Sequence, residues 1–308
     1  MLRRLRRLTN FLPLAATVAL ACSASVASKP SGGRSSNPAL WVVADEDTTI
    51  YLFGSVHMLK PGVVWFDDEV KAAFDRSDTL VLEVTEEDPA QMAAILTPMA
   101  ANTSGQPTSQ MLPENARERY LSALRDYGIP VRAMDAVEPW LVAINLSIAP
   151  LMRLGYQQDL GVEKVLEANA RRQGKRVVGL ETPQQQLGYF DTLPPKVQVA
   201  YLMATVNELP KVETEFARML RHWDRGKPDA LAKEMNESIK ETPELARVLL
   251  HDRNVRWTDW LVQRLDQPGT LFVAVGAGHL AGSGSVIDLL EGKKLTVRRL
   301  SKRDFVSP

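Results

Sequence analysis

Apolar runs near the start of the chain predict strands that flank a helix. The runs "ALWVVA" and "TTIYLFGS" have the β-branched and aromatic composition of strands, and "DEDT" between them is typical of a hairpin turn. The segment "FDDEVKAAFDRS" then repeats its apolar positions at helical spacing, and "DTLVLEV" follows as a strand. Together these segments predict an antiparallel hairpin followed by a β-α-β unit with a right-handed crossover.

The middle of the chain, at about residues 88–265, has mostly helical patterns. Stretches such as "PENARERYLSALRDYG" and "GVEKVLEANARRQGK" are amphipathic, and "KRVVGLET" predicts one further strand. The most apolar stretch runs from Trp140 to Leu154 and contains Asn145 and Pro150. Because this stretch is short for a bilayer span, we expect a buried or cleft-lining helix.

The C-terminal segment returns to alternating strand and helix patterns. In "LFVAVGAGHLAGSGSVIDLLEGKKLTVRRL" a strand, a glycine loop, a helix and a second strand follow one another. The predicted fold class is mixed α/β, with a central mixed sheet built from the N- and C-terminal segments and with flanking helices. We expect a single domain over residues 39–308 with a large helical insertion at about 88–265.

The N-terminus has the pattern of a secretory signal. A basic region, Arg3 to Arg7, precedes the apolar stretch "FLPLAATVALA". The signal ends either at residue 21, because "ALAC" resembles a lipobox ending at Cys22, or at residue 27, because "SVA" resembles a signal-peptidase site. We expect residues 22–38 to form a flexible tether. We therefore expect export, to the periplasm or as a lipoprotein anchored in the outer membrane through Cys22.

Charge and cysteine content exclude several classes of function. The chain has 37 basic and 37 acidic residues, and loss of the four signal arginines leaves 33 basic residues, so nucleic-acid binding is not expected. Its single cysteine permits no internal disulfide and no zinc-thiolate site. The oligomeric state is not indicated by the sequence.

Two segments share the pattern GxxH after an apolar strand. Gly54 to His57 follows "TIYLF", and Gly276 to His279 follows "LFVAV". A glycine at the end of a strand permits a sharp turn, and the histidine then emerges at the edge of the sheet where α/β proteins place their sites. The two imidazoles can meet only if their strands are neighbours in the sheet.

Two glutamates accompany these histidines at the ends of predicted strands. Glu83 lies in "LVLEV" and Glu181 in "VVGLET", where an unpaired buried carboxylate is costly. Two imidazoles with carboxylates suit a divalent ion such as Mn, Co, Fe or Zn. The alternative is structural, with Glu–Arg ion pairs and hydrogen-bonded histidines. The sequence contains no HExxH motif, so a zincin mechanism is not predicted.

Taken in order, these segments resemble the TraB/GumN family, relatives of the Tiki metalloproteases and more distantly of erythromycin-esterase and ChaN-like folds. The matching pieces are "YLFGSVHMLKPG", "LVLEV", "LGVEKVLEANARRQGKRVVGLETPQQQ", "LLHDRNVRWTDWL" and the C-terminal segment. The resemblance implies a metal site built from His57, His279 and Glu83. It also implies that the residues contributing to catalysis in the same pocket are Glu83, Glu181, Arg253 and Asn254.

The expected function is an exported, metal-dependent hydrolase, with a peptidase favoured, acting on a peptide or other small substrate in a cleft. One of the two glutamates would be a metal ligand and the other a base. Two alternatives stay open at this stage. One is a haem- or metal-binding envelope lipoprotein without catalysis, and the other is an accessory protein for envelope polysaccharide production.

Overall fold

The computed structural model describes residues 34–85, 87–238 and 243–305. The predicted signal peptide, Cys22 and most of the tether lie outside these residues. The chain divides into two compact units, and each is described by itself. Of the described residues, the helical unit includes 87–146 and 183–206, and the sheet unit includes 34–85, 147–182, 207–238 and 243–305. The helical insertion expected at about 88–265 therefore contributes segments to both units.

The sheet unit is built around one mixed sheet. Its described strands are β1 (Arg34–Ser35), β2 (Leu40–Ala44), β3 (Thr48–Ser55), β4 (Val63–Val64), β5 (Thr79–Leu82), β6 (Arg176–Gly179), β7 (Gly269–Gly276) and β8 (Arg298–Arg299). Six of them form a sheet of order β6-β5-β7-β3-β2-β8, and β1 pairs with β4 separately. The first four strands of that order are parallel, while β2 is antiparallel to both β3 and β8. The predicted mixed α/β class with a central sheet is confirmed.

The described helices connect these strands or form the helical unit. They are α1 (Asp68–Arg76), α2 (Pro89–Ala100), α3 (Thr108–Met111), α4 (Glu114–Asp126), α5 (Val131–Met134), α6 (Pro139–Arg153), α7 (Val162–Arg172), α8 (Pro183–Asp191), α9 (Pro195–Glu208), α10 (Val212–Asp224), α11 (Pro228–Ser238), α12 (Pro243–Ala246), α13 (Asp252–Leu265) and α14 (Val286–Gly292). A π-helical segment, Arg247–His251, joins α12 to α13, and a short 3₁₀ segment, Ala277–Leu280, follows β7.

The predicted hairpin and crossover are both present, with one difference in strand order. β2 and β3 form the antiparallel hairpin, with Leu40 opposite Phe53. β3, α1 and β5 form the predicted crossover, but β7 lies between the two strands and pairs with both of them. A pattern of local segments cannot reveal this insertion, because β7 comes from the far end of the chain.

Both faces of the sheet are covered by apolar side chains. Successive residues of a strand point to opposite faces, so each strand contributes to both layers. Phe53 and Phe272 pack on one face together with Phe74 of α1. Leu52 and Val273 pack on the other face in a cluster that also includes residues of α13 and α14. Burial of this kind on both faces explains the continuous apolar runs of β3 and β7.

The helical unit contains α2 to α5, α8 and the first parts of α6 and α9. Trp140 of α6 stacks on Phe190 of α8 with 5.9 Å between ring centroids, and Phe190 stacks on Tyr201 of α9 at 6.1 Å. The apolar stretch predicted as a buried helix is α6, which continues through Pro150 to Arg153. None of the helices in the described part of the chain has the length and apolar character needed to cross a membrane.

Candidate functional site

The carboxyl ends of three parallel strands meet at one edge of the sheet. β3 and β7 pair along their whole length, with Ser55 opposite Gly276, and β5 pairs with β7 on its other side. Because His57 and His279 follow the ends of β3 and β7, the predicted requirement that their strands be neighbours is met. This edge carries the candidate site.

Gly54 and Gly276 allow the two GxxH segments to pack closely against their neighbours. A Cβ atom on Gly54 would lie 3.0 Å from Cα of Ala277, and one on Gly276 would lie 3.1 Å from Oε1 of Glu83. Gly54 continues β3 as an ordinary strand residue, and neither glycine has a positive φ. The two glycines therefore permit close packing, and the sharp turn that the sequence predicted at Gly54 is not present.

His279 is buried, and its ring is oriented by Asn254. Its Nδ1 lies 2.6 Å from Oδ1 of Asn254, whose amide nitrogen donates to the carbonyl of Gly284 at 2.8 Å. Because the amide nitrogen is engaged there, the amide oxygen accepts a proton from Nδ1. Burial lowers the pKa of His279 to about 4. The ring is therefore neutral at pH 7, with its lone pair on Nε2.

Glu83 and Glu181 are buried carboxylates that share the guanidinium of Arg253. Nη2 of Arg253 donates to Oε2 of Glu83 at 2.6 Å and to Oε2 of Glu181 at 2.8 Å. Oε1 of Glu83 also accepts the backbone N–H of Gly276 at 2.7 Å. Burial opposes the charge on Glu83, but the positive charges of protonated His279, Arg253 and His57 outweigh it, together with the N–H of Gly276, and lower the pKa of Glu83 to about 2. These Glu–Arg pairs are the contacts that the sequence left open as a structural alternative.

Arg253 lies at the start of α13 and is held by several further contacts. Its Nη1 donates to the carbonyl of Leu249 at 3.1 Å and lies 3.2 Å from Nε2 of His279. Its guanidinium carbon lies 4.5 Å from the ring centre of Trp257. The π-helical segment that precedes α13 is a type of irregularity frequent at functional sites. The "RN" pair of the sequence, Arg253 and Asn254, thus reaches the same strand ends as the histidines.

His57 has a different environment, since its side chain is 73% exposed. Its Nδ1 lies 2.8 Å from Oε1 of Glu163, and the hydroxyl of Ser55 donates to the same oxygen at 2.5 Å. The charge of Glu163 raises the pKa of His57 to about 9, an attraction that water around the exposed ring screens. Besides burial and Arg253, the charge of His57 lowers the pKa of His279. The two rings are therefore electrostatically coupled across the strand ends.

Glu163 and Ser55 are residues that the sequence analysis did not place in the site. Glu163 is the second residue of α7, and Ser55 is the last residue of β3. The only signal for Glu163 was its place in "LGVEKVL", two residues after a glycine at the start of a predicted helix. Helical acids usually face water, so this position gave no reason to select Glu163.

The donor chemistry of these residues fits a divalent ion, although they do not form a closed set of ligands. Oε1 of Glu83 lies 3.8 Å from Nε2 of His279, a separation that two ligands of one ion take with bonds of about 2.1 Å. An ion bound at Nε2 of His279 would displace Nη1 of Arg253 from that atom. Nη1 would keep its hydrogen bond to the carbonyl of Leu249. Among residues 34–85, 87–238 and 243–305, however, no group of three His, Cys, Asp or Glu side chains is arranged around a common point.

Comparison with known proteins identifies relatives across nearly the whole chain. Residues 39–299 match the model of the TraB/PrgY/gumN family. The uncharacterized protein YbaP of Escherichia coli is 26% identical over 257 residues, which cover 82% of this chain and 92% of YbaP. An uncharacterized protein of Treponema pallidum is 22% identical over 273 residues, or 83% of this chain and 80% of that protein. No solved structure matches the chain.

Proposed function

The chain belongs to the TraB/PrgY/gumN family, and from this premise we propose that it is an exported, metal-dependent hydrolase, with peptides as the favoured substrates. The observation that carries the proposal is the common orientation of the two imidazoles. In both rings Nδ1 is engaged by a polar side chain, Glu163 or Asn254, so that Nε2 points away from that partner. Nε2 of His279 faces Nη1 of Arg253 at 3.2 Å, a contact that a bound ion would replace, and His57 would give up its imidazolium proton on binding. Histidines that bind metals in proteins are almost always oriented in this way.

In this proposal His57, His279 and Glu83 hold the ion through two imidazole nitrogens and one carboxylate oxygen. Glu83 is favoured over Glu181 as the ligand because its Oε1 faces His279 and its other oxygen is already neutralised by Arg253. A divalent ion in such a site supplies Lewis acidity, which polarises a substrate carbonyl and makes water more acidic.

The remaining residues have roles that follow from their contacts. Arg253 places a fixed positive charge beside the site, where it can stabilise negative charge that develops on a substrate oxygen. Glu181 receives hydrogen bonds from Nε and Nη2 of Arg253, which fix the guanidinium plane. We therefore assign Glu181 to positioning Arg253, because both of its oxygens already accept hydrogen bonds from the guanidinium.

Metal content tests this proposal directly. We expect about one divalent ion per chain in the purified protein by elemental analysis, and less than about a tenth of that in His57→Ala and in His279→Gln. His251→Ala is the matched control, since His251 is 61% exposed and pairs with Asp252 at 3.1 Å. Unchanged metal content in both site variants would show that the ligand assignment is wrong.

Catalysis is tested separately with a peptide library, with and without a chelator. Cleavage that disappears on chelation and returns with added metal supports a peptidase. Stoichiometric metal without cleavage supports instead the non-catalytic binding protein, and a Soret band after haem addition that is lost in His57→Ala supports haem as its ligand.

Export is proposed from the N-terminal sequence alone. We expect the mature chain from bacterial cells to begin at Cys22 with added acyl mass, or after residue 27 without it, and mass spectrometry separates the two. A chain that keeps its N-terminal arginines in the cell would exclude export.

A further inference from the structure

Glu163 is the polar partner of His57 in the described part of the chain. Its Oε1 receives two donors, Nδ1 of His57 at 2.8 Å and the hydroxyl of Ser55 at 2.5 Å. The side chain of Glu163 is only 20% exposed, whereas the ring of His57 is 73% exposed. The carboxylate is therefore the fixed member of the pair, and the ring extends from it toward solvent.

The fold places Glu163 there through the start of α7. The backbone N–H of Val162 donates to the carbonyl of Val56 at 3.0 Å, next to His57 in sequence. Gly161 lies so close to His57 that a Cβ atom on it would be 2.3 Å from the His57 carbonyl oxygen. Glu163 comes in the first turn of the 11-residue α7, where the helix dipole favours a negative charge. Backbone contacts thus fix the carboxylate relative to the ring.

The second histidine has an equivalent arrangement built from different residues. Nδ1 of His279 is engaged by Asn254, whose amide is itself held by the carbonyl of Gly284. Both rings therefore have the same nitrogen engaged, although one partner is a carboxylate and the other an amide. Since β3 and β7 are parallel neighbours, both Nε2 atoms belong to the same edge of the sheet.

We propose that Glu163 is a positioning residue of this site: it accepts the Nδ1 proton of His57 and so keeps Nε2 as the nitrogen that binds. Ser55 supports this role by holding the same carboxylate oxygen. The assignment of the ligand as a metal ion rests on the proposed function, but the orientation of the ring by Glu163 does not. An unconstrained neutral imidazole carries its proton mainly on Nε2. The proposal therefore predicts that His57 has the opposite tautomer, with its proton on Nδ1, as long as Glu163 is present.

The tautomer of His57 is the first test, and the sequence makes it practical because the chain has only four histidines. The full chain is labelled with ¹⁵N-histidine, and NMR spectra are recorded at a pH at which the ¹⁵N shifts of His57 show that its ring is neutral. His57 is assigned by the signals lost in His57→Gln. We expect the Nδ1–H form in the unmodified chain and in Glu163→Gln, whose amide oxygen still accepts, and a shift to mainly Nε2–H in Glu163→Ala.

Glu167→Gln is the matched control. Glu167 is a buried carboxylate of the same helix α7, but it pairs with Arg171 at 2.6 Å. We expect no change of the His57 signals in this variant. An Nε2–H ring in the unmodified chain would overturn the proposal even if Glu163→Ala failed to fold. An unchanged tautomer in folded Glu163→Ala would overturn it as well.

The second test asks which nitrogen binds, with ¹¹³Cd²⁺ as the probe. We expect ¹¹³Cd–¹⁵N coupling at Nε2 of His57 in the unmodified chain and loss of that coupling in Glu163→Ala. Coupling at Nδ1 in the unmodified chain would overturn the assignment of Glu163. Absence of any cadmium binding would instead refute the proposed metal site, while the tautomer measurement still decides the role of Glu163.

Discussion

Arg253 of α13 and Glu83, which follows β5, form a buried ion pair across 170 positions of sequence, with 2.6 Å between Nη2 and Oε2. The same guanidinium pairs with Glu181, which follows β6. Arg253 therefore links α13 to the ends of the neighbouring strands β5 and β6 through two ion pairs. Because all three side chains are less than a tenth exposed, neither carboxylate can be stabilised by bulk water in place of Arg253.

Removal of Arg253 should be strongly destabilising. Arg253→Met leaves two buried carboxylates without their cation, for which we expect a loss of about 3–5 kcal/mol in the free energy of unfolding. Arg253→Lys should recover only part of this loss, because an ammonium cannot bind both carboxylates in the planar geometry of a guanidinium. Chemical denaturation of the metal-free protein measures both values.

Arg256→Met is the control for this prediction. Arg256 is 51% exposed and lies 3.9 Å from Oε1 of Glu181, so its loss should cost less than about 1 kcal/mol. Equal effects of the two substitutions would contradict a special role for Arg253.

Acid should destabilise the metal-free protein through His279. Burial lowers the folded-state pKa of His279 from 6.5 to about 4. Between these values the unfolded chain binds a proton that the folded chain does not. The contribution of neutral His279 to the free energy of unfolding is therefore fully present above pH 6.5 and decreases as the pH falls toward 4. The shift corresponds to at most about 3 kcal/mol.

Denaturation curves between pH 7 and pH 4 test this. In His279→Gln the decrease over that range should be smaller, whereas His251→Gln should follow the unmodified protein. Glu83 adds a separate loss at lower pH, because its pKa is lowered from 4.5 to about 2 and its ionised form is needed for the pair with Arg253. An acid response of His279→Gln identical to that of the unmodified protein would refute the neutral buried ring.

Gly161→Ala should separate α7 from the segment that carries His57. The added Cβ would lie 2.3 Å from the His57 carbonyl oxygen, so the backbone must shift, at a cost of about 1–3 kcal/mol. The signals of His57 in ¹⁵N spectra should change as its contact with Glu163 is lost. Gly188→Ala, within α8 and with no atom near the added Cβ, should instead be stabilising by up to about 1 kcal/mol.

Asn254→Ala should leave the ring of His279 without its acceptor. A buried donor that loses its partner costs about 1–3 kcal/mol in the free energy of unfolding. The Nδ1–H form should persist, because Nη1 of Arg253, which can only donate, still faces Nε2. Chemical denaturation measures the loss, and an Asn254→Ala variant as stable as the unmodified protein would exclude a stabilising role of this hydrogen bond.

Much of the fold could be predicted from local patterns because strand composition and hairpin turns act over short distances. The hairpin of β2 and β3 and the strand β7 were predicted from apolar runs and turn residues. The order of strands was not, because placing β7 between β3 and β5 depends on pairing of β7 with segments that lie 221 and 192 positions earlier in the chain. Hydrophobic periodicity contains no information on such pairing.

The residues of the candidate site were likewise predicted only in part. His57, His279, Glu83 and Glu181 were selected because each follows an apolar strand, and Arg253 and Asn254 through the family resemblance. Glu163 could not be selected, since an acid in the first turn of a helix is ordinary and only the docking of α7 brings it to His57.

The sequence by itself determined which segments are strands and helices, and which polar residues lie at the strand ends. Only the tertiary structure decided that Arg253 is shared by Glu83 and Glu181, and that each imidazole has its Nδ1 engaged by a residue of another element. The physical reason is that composition and periodicity are properties of neighbours along the chain. Hydrogen bonds and ion pairs form only where side chains come within about 3 Å in space.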